Sequence, residues 1–377
     1  MDTTQTQEGD LLGLGEEELM LQSTMRRFAE VEVLPGELKR DKTKEFPLDL
    51  IAKMASQGFL GIPVPPEYGG AGMSTLAYAL AVEEIAKVSG SLALTLAAHT
   101  SLGTMPIIDF GDEEQKQKYV PPLAAGEYLG SFGLTEPQAG SDAGATRTTA
   151  VRDGDHYVLN GQKAWITNAG AAGCFVVTAR TSPGTSPEGI SAFIVLRGVK
   201  GFHIGEPEKK LGLHSSDSRP IFFDDCRVHS SQRLGPEGEG FKYFMKTLDR
   251  GRIVIGAMAL GLAQGAFERS LKYSTERRTF DKPLFKHQAI AFKLADMSIE
   301  IDGARLLAWE AAFALDRGDD GLREATLAFQ QARRVALDVA DGAVQVFGGH
   351  GYIREYLPEM HLRNARGFAA FEALALI

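Results

Sequence analysis

The sequence has little cysteine: only Cys174 and Cys226 occur among 377 residues. Two cysteines cannot build the disulfide framework of a small secreted protein, which favours the reducing cytoplasm. The N-terminus lacks a basic segment followed by an apolar core, so no secretory signal is predicted. No apolar run reaches the length that crosses a bilayer, so we expect a cytoplasmic protein without a membrane partner.

Basic charge and the common catalytic motifs are also scarce. Lys and Arg total 40 against 49 Asp and Glu, which gives a net charge of -9. A general nucleic-acid binder carries a basic excess, so no nucleic-acid partner is expected.

The chain has no G-x-G-x-x-G after a strand, no Walker A motif, no H-E-x-x-H, no C-x-x-C and no G-x-S-x-G. The sequence therefore predicts no metal site and does not support a Rossmann dinucleotide site or a serine triad.

Hydrophobic periodicity divides the chain into an N-terminal α-helical domain at residues 1–122, a middle β domain at 123–235 and a C-terminal α-helical domain at 236–377. This order predicts an α+β protein whose β domain is a barrel or a sandwich. Pro121-Pro122 is expected to end the first domain, and Asn160-Gly161 predicts a hairpin turn between two short strands. The long C-terminal helices are predicted at residues 238–276, 288–316 and 322–346.

Residues 128–142, YLGSFGLTEPQAGSD, begin as an apolar strand and end in a turn of small residues. Pro137 cannot donate a ladder hydrogen bond and Gly140 tolerates positive φ, so the backbone is expected to leave the sheet there. Such a loop directs free N–H groups and short hydroxyls at one point, which suits an anionic or carbonyl-rich ligand. The alternative interpretation is an ordinary surface turn.

A second candidate is the segment KAWITN, residues 163–168. Trp165 and Thr167 are separated by one residue, so they point to the same side of a strand. One supplies a flat apolar face and the other a hydroxyl, a combination that suits a planar heteroaromatic ligand. The alternative is a core tryptophan beside an ordinary strand threonine.

Two charged residues stand in apolar surroundings in the last third of the chain. Arg252 falls on a helical stripe of apolar residues, where its guanidinium needs an anion. That anion is either an internal carboxylate, Asp249 or Glu268, or a ligand phosphate.

Glu372 is the single charge in residues 368–377. An apolar setting raises a carboxyl pKa, as a general base requires, although a solvated helix glutamate is the alternative.

Four segments together resemble the signatures of the acyl-CoA dehydrogenase family, in the family's order and over nearly the whole chain. They are LTEPQAGSD (134–142), KAWITN (163–168), ERRTFDKPLFKHQAI (276–290) and QVFGGHGY (345–352). The chain looks most similar to the short-chain, butyryl-CoA branch. The resemblance implies the family's fold, in which the C-terminal domain is a four-helix bundle.

The resemblance also implies FAD as the cofactor and acyl-CoA as the substrate. The residues it assigns to FAD are Phe132, Leu134, Thr135, Gly140, Ser141, Trp165, Ile166, Thr167, Arg277, Thr279, Phe280, Gln288, Gln345, Gly348 and Gly349. The resemblance implies that Arg277, Gln288 and Gln345 to Gly349 hold the AMP half of FAD and, as in the family, reach across from a neighbouring subunit, so a homotetramer, or at least a dimer, is expected. The residues it assigns to the acyl-CoA are Ser141, Asp249, Arg252 and Ala373.

The reaction that the resemblance implies is α,β-desaturation of the thioester. Glu372 would remove the α-proton while the β-hydride moves to the flavin, and electrons would pass to electron-transferring flavoprotein. A second branch of the family carries its base at the position of Gly251, which has no carboxylate. The family's usual Gly-Thr after the glutamate is Ala373-Leu374 here. The alternatives are a flavin oxidase or monooxygenase of the same fold, or a catalytically impaired subunit that binds flavin or CoA.

Overall fold

The computed structural model describes residues 14–370, which begin with a helical layer. Its α-helices are α1 (Glu16–Phe28), α2 (Glu37–Thr43), α3 (Leu48–Ser56), α4 (Thr75–Ala86), α5 (Gly90–Ala97), α6 (Met105–Phe110) and α7 (Glu113–Ala124). Local capping explains several starts: the Ser74 hydroxyl accepts the Ala77 N–H at 3.0 Å. Asp112 and Gln115 form a reciprocal capping box at the start of α7.

The expectation that Pro121-Pro122 ends the helical region is wrong, because both prolines lie inside α7, which continues to Ala124. The two prolines remove two N–H donors, but their carbonyl groups still accept hydrogen bonds. The Ala125 N–H donates to the Pro121 carbonyl at 2.9 Å and closes the last turn.

The prediction that no apolar run is long enough to cross a bilayer is also wrong. The run Gly90–Phe110 has 21 residues and a mean hydropathy of 1.3, enough to cross a membrane by length and composition. It comprises α5, a π-helical segment Ala98–Thr104, and α6. In the fold, 78% of its apolar window is buried inside the protein. This burial is typical of a core helix.

One eight-stranded sheet forms the middle of the chain. Its strands are β1 (Leu129–Gly133), β2 (Thr149–Asp153), β3 (His156–Thr167), β4 (Ala172–Arg180), β5 (Ile190–Leu196), β6 (Phe202–Ile204), β7 (Ser218–His229) and β8 (Arg233–Leu234). The order is β6-β7-β3-β2-β4-β5-β8, and β1 pairs in parallel with β4. The parallel pairing brings β1 and the loop that follows it beside the middle of the sheet.

The hairpin predicted at Asn160-Gly161 is wrong, because both residues lie inside the continuous strand β3. Gly161 has φ of 141°, and the pairing with β7 shifts register between Leu159 and Gly161, so the glycine forms a bulge. The Asn160 side chain accepts the Asp225 N–H from β7 at 2.9 Å. The β2–β3 turn instead uses Gly154, since Asp153 pairs with His156.

The last part of the chain is a helical bundle joined to the first helices. It contains α8 (Gly240–Glu276), the small hairpin β9 (Arg278–Thr279) and β10 (Lys282–Pro283), α9 (Gln288–Asp316), α10 (Leu322–Phe347) and α11 (Leu357–Ala370). Helix α8 packs on α4, α9, α10 and α11. Gly261 allows this approach, since a Cβ there would lie 2.1 Å from the Glu83 carbonyl oxygen of α4. The Arg305 guanidinium of α9 binds the Glu83 carboxylate at 3.1 Å.

Candidate active site

The loop that follows β1 and the end of β3 are held side by side. The Ala164 N–H donates to the Thr135 carbonyl at 2.8 Å. The Ser131 hydroxyl donates to the Thr167 carbonyl at 2.7 Å. These two bonds bring together the two segments that the sequence singled out separately, with Thr135 bonded to the residue that precedes Trp165.

Trp165 has an unusual conformation for a bulky residue. Its φ is 58°, and its side chain is 59% exposed. The pairing of β3 with β7 shifts register between Lys163 and Ile166, which turns the indole out of the sheet. A large aromatic residue in the left-handed region is strained, and such strain is concentrated at functional sites. The alternative of a core tryptophan is therefore wrong.

The loop and the strand that carry these two motifs have unused hydrogen-bonding groups. Within residues 14–370, the backbone N–H groups of Thr135, Gly140 and Ser141 donate no hydrogen bond. The hydroxyls of Thr135, Ser141 and Thr167 are likewise unpaired with any described residue. An exposed flat apolar side chain together with free donors on the same two segments suits a planar heteroaromatic group with carbonyl and phosphate acceptors.

Other residues assigned to this part of the site lie below its surface. Leu134 and Ile166 are buried, so only their backbone groups are available to a ligand. The Phe132 ring stacks on Phe244 of α8, with centroids 4.0 Å apart. Phe132 therefore joins the loop to the helical bundle.

The sequence reasoning missed a buried ion pair beneath the loop. The Lys163 ammonium donates to the Glu136 carboxylate at 2.7 Å, and both side chains are at most 2% exposed. Glu136 also accepts the N–H groups of Arg147, at 2.8 Å, and Thr148, at 3.0 Å. The only signal in the sequence was an opposite charge in each of the two motifs.

Both pKa values in this pair are shifted. Burial lowers the pKa of Lys163 to about 8, although the charge of Glu136 opposes the change. Burial alone would raise the pKa of Glu136. The charge of Lys163 and the donors around the carboxylate nevertheless hold the Glu136 pKa below its usual range. The pair is ionised at neutral pH.

The structure pairs Arg252 with Asp249, at 2.8 Å, rather than with Glu268. Its Nη1 also approaches the Thr326 hydroxyl at 3.4 Å, while the buried Nε has no hydrogen-bond partner among the described residues. Burial raises the pKa of Asp249, Arg252 opposes this effect, and Asp320 adds to it. Asp249 lines a cavity of about 610 Å³, with Lys246 and Arg250 among its other walls.

The residues assigned to the AMP half of FAD lie at one end of the helical bundle. Tyr273 stacks on Phe347 with ring centroids 4.1 Å apart, which brings the end of α8 close to the end of α10. The residues concerned are Arg277, Thr279, Phe280, Gln288, Gln345, Gly348 and Gly349. Within residues 14–370, no hydrogen bond, ion pair or ring contact joins this group to the loop after β1.

Glu372 and Ala373, the proposed base and its neighbour, lie outside the described residues. Helix α11, which precedes them, is firmly held. The Arg363 guanidinium binds Asp41 of α2 at 2.7 Å and Glu359 at 2.7 Å. Phe368 is fully buried two residues before the end of this helix.

Comparison with known proteins gives agreement over nearly the whole chain. Models of the N-terminal, middle and C-terminal domains of acyl-CoA dehydrogenase match residues 15–127, 131–226 and 238–372. The short-chain specific acyl-CoA dehydrogenase of Clostridium acetobutylicum is 46% identical over 353 residues, covering 94% of this chain and 93% of that protein.

Two solved structures are similar to this chain over nearly its whole length. Butyryl-CoA dehydrogenase from Megasphaera elsdenii has a TM-score of 0.94 and 41% identity, covering 95% of each chain. A chain in the structure described as the electron transferring flavoprotein of Acidaminococcus fermentans also has a TM-score of 0.94. It is 46% identical and covers 95% of this chain and 94% of that one.

The chain belongs to the acyl-CoA dehydrogenase family, which confirms the predicted fold class. It is a flavin-dependent acyl-CoA dehydrogenase, an oxidoreductase that acts on CH–CH groups. Its close homologues are short-chain and butyryl-CoA dehydrogenases.

Proposed function

We propose that this enzyme uses FAD to desaturate a short-chain acyl-CoA between its α and β carbons. The observation that carries the proposal is the arrangement around Trp165. The exposed indole and the free donors of Thr135, Ser141 and Thr167 lie on a loop and a strand that hydrogen bonds tie together. The names of the relatives support the short-chain substrate.

The donor set fits FAD. The free N–H of Thr135 suits the carbonyl-rich pyrimidine edge of the flavin, the Trp165 indole suits the ring face, and Thr167 suits a ring nitrogen. Gly140 and Ser141 supply free N–H groups to the pyrophosphate. When bound, FAD supplies the hydride acceptor of the desaturation.

Glu372 is the proposed base for the α-proton. The residues beside it in the sequence are apolar, and an apolar setting raises a carboxyl pKa, as a general base requires. Helix α11 ends at Ala370, two residues before Glu372 in the sequence, and the ion pair of Arg363 with Asp41 fixes that helix against the N-terminal helices. Arg252 and Asp249 are proposed to serve the CoA end, and the buried Nε of Arg252 has no hydrogen-bond partner among residues 14–370.

A homotetramer is proposed because the groups assigned to the two halves of FAD lie apart in one chain. Apolar side chains near the AMP group are exposed, including Phe280 at 91% and Tyr352 at 84%. On α9, Phe292, Ile299 and Leu306 recur every seven residues and are also exposed. A stripe of this spacing suits a packed partner helix, and a second copy would cover it.

Electron-transferring flavoprotein is the proposed electron acceptor, supported by the likeness to a chain in the Acidaminococcus structure. Direct reaction with oxygen is the competing outcome. It would make the protein an oxidase of the same fold.

Anaerobic mixing with butyryl-, octanoyl- and isovaleryl-CoA tests the substrate and the base. Butyryl-CoA is expected to bleach the flavin band at roughly 450 nm. Glu372→Gln should slow bleaching by about 10²–10⁴-fold, the usual contribution of a general base. Glu355→Gln, at an exposed position, is the matched control. A protein whose bound flavin is bleached by no thioester would contradict the proposal, and rapid oxygen uptake in turnover would establish the oxidase.

A further inference from the structure

The Lys163 ammonium is fixed by three acceptors in the protein interior. It donates to the Leu134 carbonyl at 3.2 Å, the Glu136 carboxylate at 2.7 Å and the Thr178 hydroxyl at 3.0 Å. An ammonium group has three protons, so all of its donors are used. The side chain is fully buried and reaches the loop from beneath, two residues before Trp165.

The contact with Leu134 bears on the neighbouring donor at the site. A peptide group is planar and trans, so the Leu134 carbonyl and the Thr135 N–H belong to one unit and point in opposite directions. The carbonyl faces the ammonium, while the N–H has no acceptor among residues 14–370. A cation at the carbonyl draws electron density from the peptide and makes its N–H a stronger donor. This polarisation is enhanced where the local dielectric is low.

We propose that Lys163 is a positioning residue of the flavin site, which strengthens the hydrogen bond from the Thr135 N–H to the flavin through the Leu134–Thr135 peptide. The proposal rests on the proposed function, since it requires flavin at this loop. Reduced flavin carries more negative charge on its pyrimidine edge than oxidised flavin does. Lys163 therefore stabilises the reduced form more and raises the reduction potential.

Glu136 balances the charge of Lys163 and holds the loop in place. Its carboxylate also accepts the N–H groups of Arg147 and Thr148, where β2 approaches. Replacing Lys163 alone would leave a buried carboxylate unpaired, whereas neutralising both partners removes that penalty. The informative variant is therefore Lys163→Met combined with Glu136→Gln, because glutamine still offers an acceptor to the backbone donors.

The experiment measures the reduction potential of the bound flavin and the dissociation constant of FAD, together with the thermal midpoint of the flavin-free protein. For the double variant, the equilibrium between reduced and oxidised flavin should shift at least tenfold towards the oxidised form. For a two-electron couple this is about 30 mV. Thr178→Val removes a different acceptor of Lys163 and leaves the Leu134 contact, so its potential should match that of the wild type.

The outcomes separate this inference from the proposed function. A wild-type protein that binds no flavin, or whose flavin no thioester bleaches, contradicts the proposed function. If the wild type is bleached and the double variant has the same potential as the wild type, the inference about Lys163 is overturned. If the double variant does not fold, Lys163→Gln combined with Glu136→Gln decides, because the glutamine at position 163 can still donate a hydrogen bond while neither side chain carries a charge. The same fall in potential is expected there, and an unchanged potential overturns the inference.

Discussion

His99 should make the stability of this protein depend on pH in the mildly acidic range. The side chain lies in the π-helical segment Ala98–Thr104 and is 0% exposed. Its Nδ1 accepts the Gly130 N–H of β1 at 2.9 Å, which requires that nitrogen to be unprotonated. Burial lowers the pKa of His99 from 6.5 to about 4, with partial opposition from the backbone of Leu123.

The sign and size of the effect follow from this lowered pKa. Between pH 6.5 and 4 the unfolded chain binds a proton at His99 that the folded chain does not. The stabilising contribution is therefore complete above the unfolded pKa and is lost as the pH falls through the folded pKa. At 1.36 kcal/mol per pKa unit, the loss is about 2 kcal/mol between pH 7 and 5, and about 3 kcal/mol once both states are protonated.

Urea unfolding at pH 7 and pH 5, at one fixed protein concentration, measures this contribution. His99→Asn keeps an acceptor near the position of Nδ1 but cannot titrate in this range. Its loss of stability between the two pH values should be smaller than that of the wild type by about 2 kcal/mol.

His203→Asn is the matched control, because His203 is exposed on β6. The buried His361 is present in all three proteins, so its own lowered pKa does not affect the comparison. Equal losses in wild type and His99→Asn would refute the reasoning.

Two further predictions concern packing. Gly103→Ala places a Cβ 2.6 Å from the backbone of Gly130, so urea unfolding should show a loss of about 1–3 kcal/mol. Gly256→Ala in α8, where the atom nearest to the new Cβ is the Phe329 Cα at 3.8 Å, should instead gain about 1 kcal/mol, and equal effects would contradict the packing argument. Phe280→Ser should shift the mass measured by light scattering from a tetramer towards smaller species and promote flavin loss. An unchanged tetramer would show that Phe280 is not at the interface. The exposed Val151→Ser is its control.

The sequence predicted the long helices well, because their signals are local. Helix α9 begins at Gln288 and ends at Asp316, as expected from its apolar periodicity and the glycine-rich break that follows. The hairpin at Asn160-Gly161 failed for the opposite reason. Glycine suits a bulge as well as a turn, and the pairing with β7 along the whole of β3 decided between them.

The candidate site shows the same division. The residue types around Trp165 and Thr135 indicated a ligand that contains a planar ring system and hydrogen-bond acceptors, since aromatic and hydroxyl groups suit such a ligand. Their proximity came from hydrogen bonds between separate strands. The partner of Arg252 was decided by local geometry instead, since Asp249 lies three residues earlier on the same helix α8 and within 2.8 Å.

What the sequence determined by itself was therefore the order of helices and strands and the chemical character of two motifs. Only the tertiary structure decided that Lys163 and Glu136 meet in the interior, with both side chains at most 2% exposed. No periodicity connects a lysine in a strand with a glutamate in a distant loop. Their contact exists because the parallel pairing of β1 with β4 brings that loop over β3, where each buried charge requires the other.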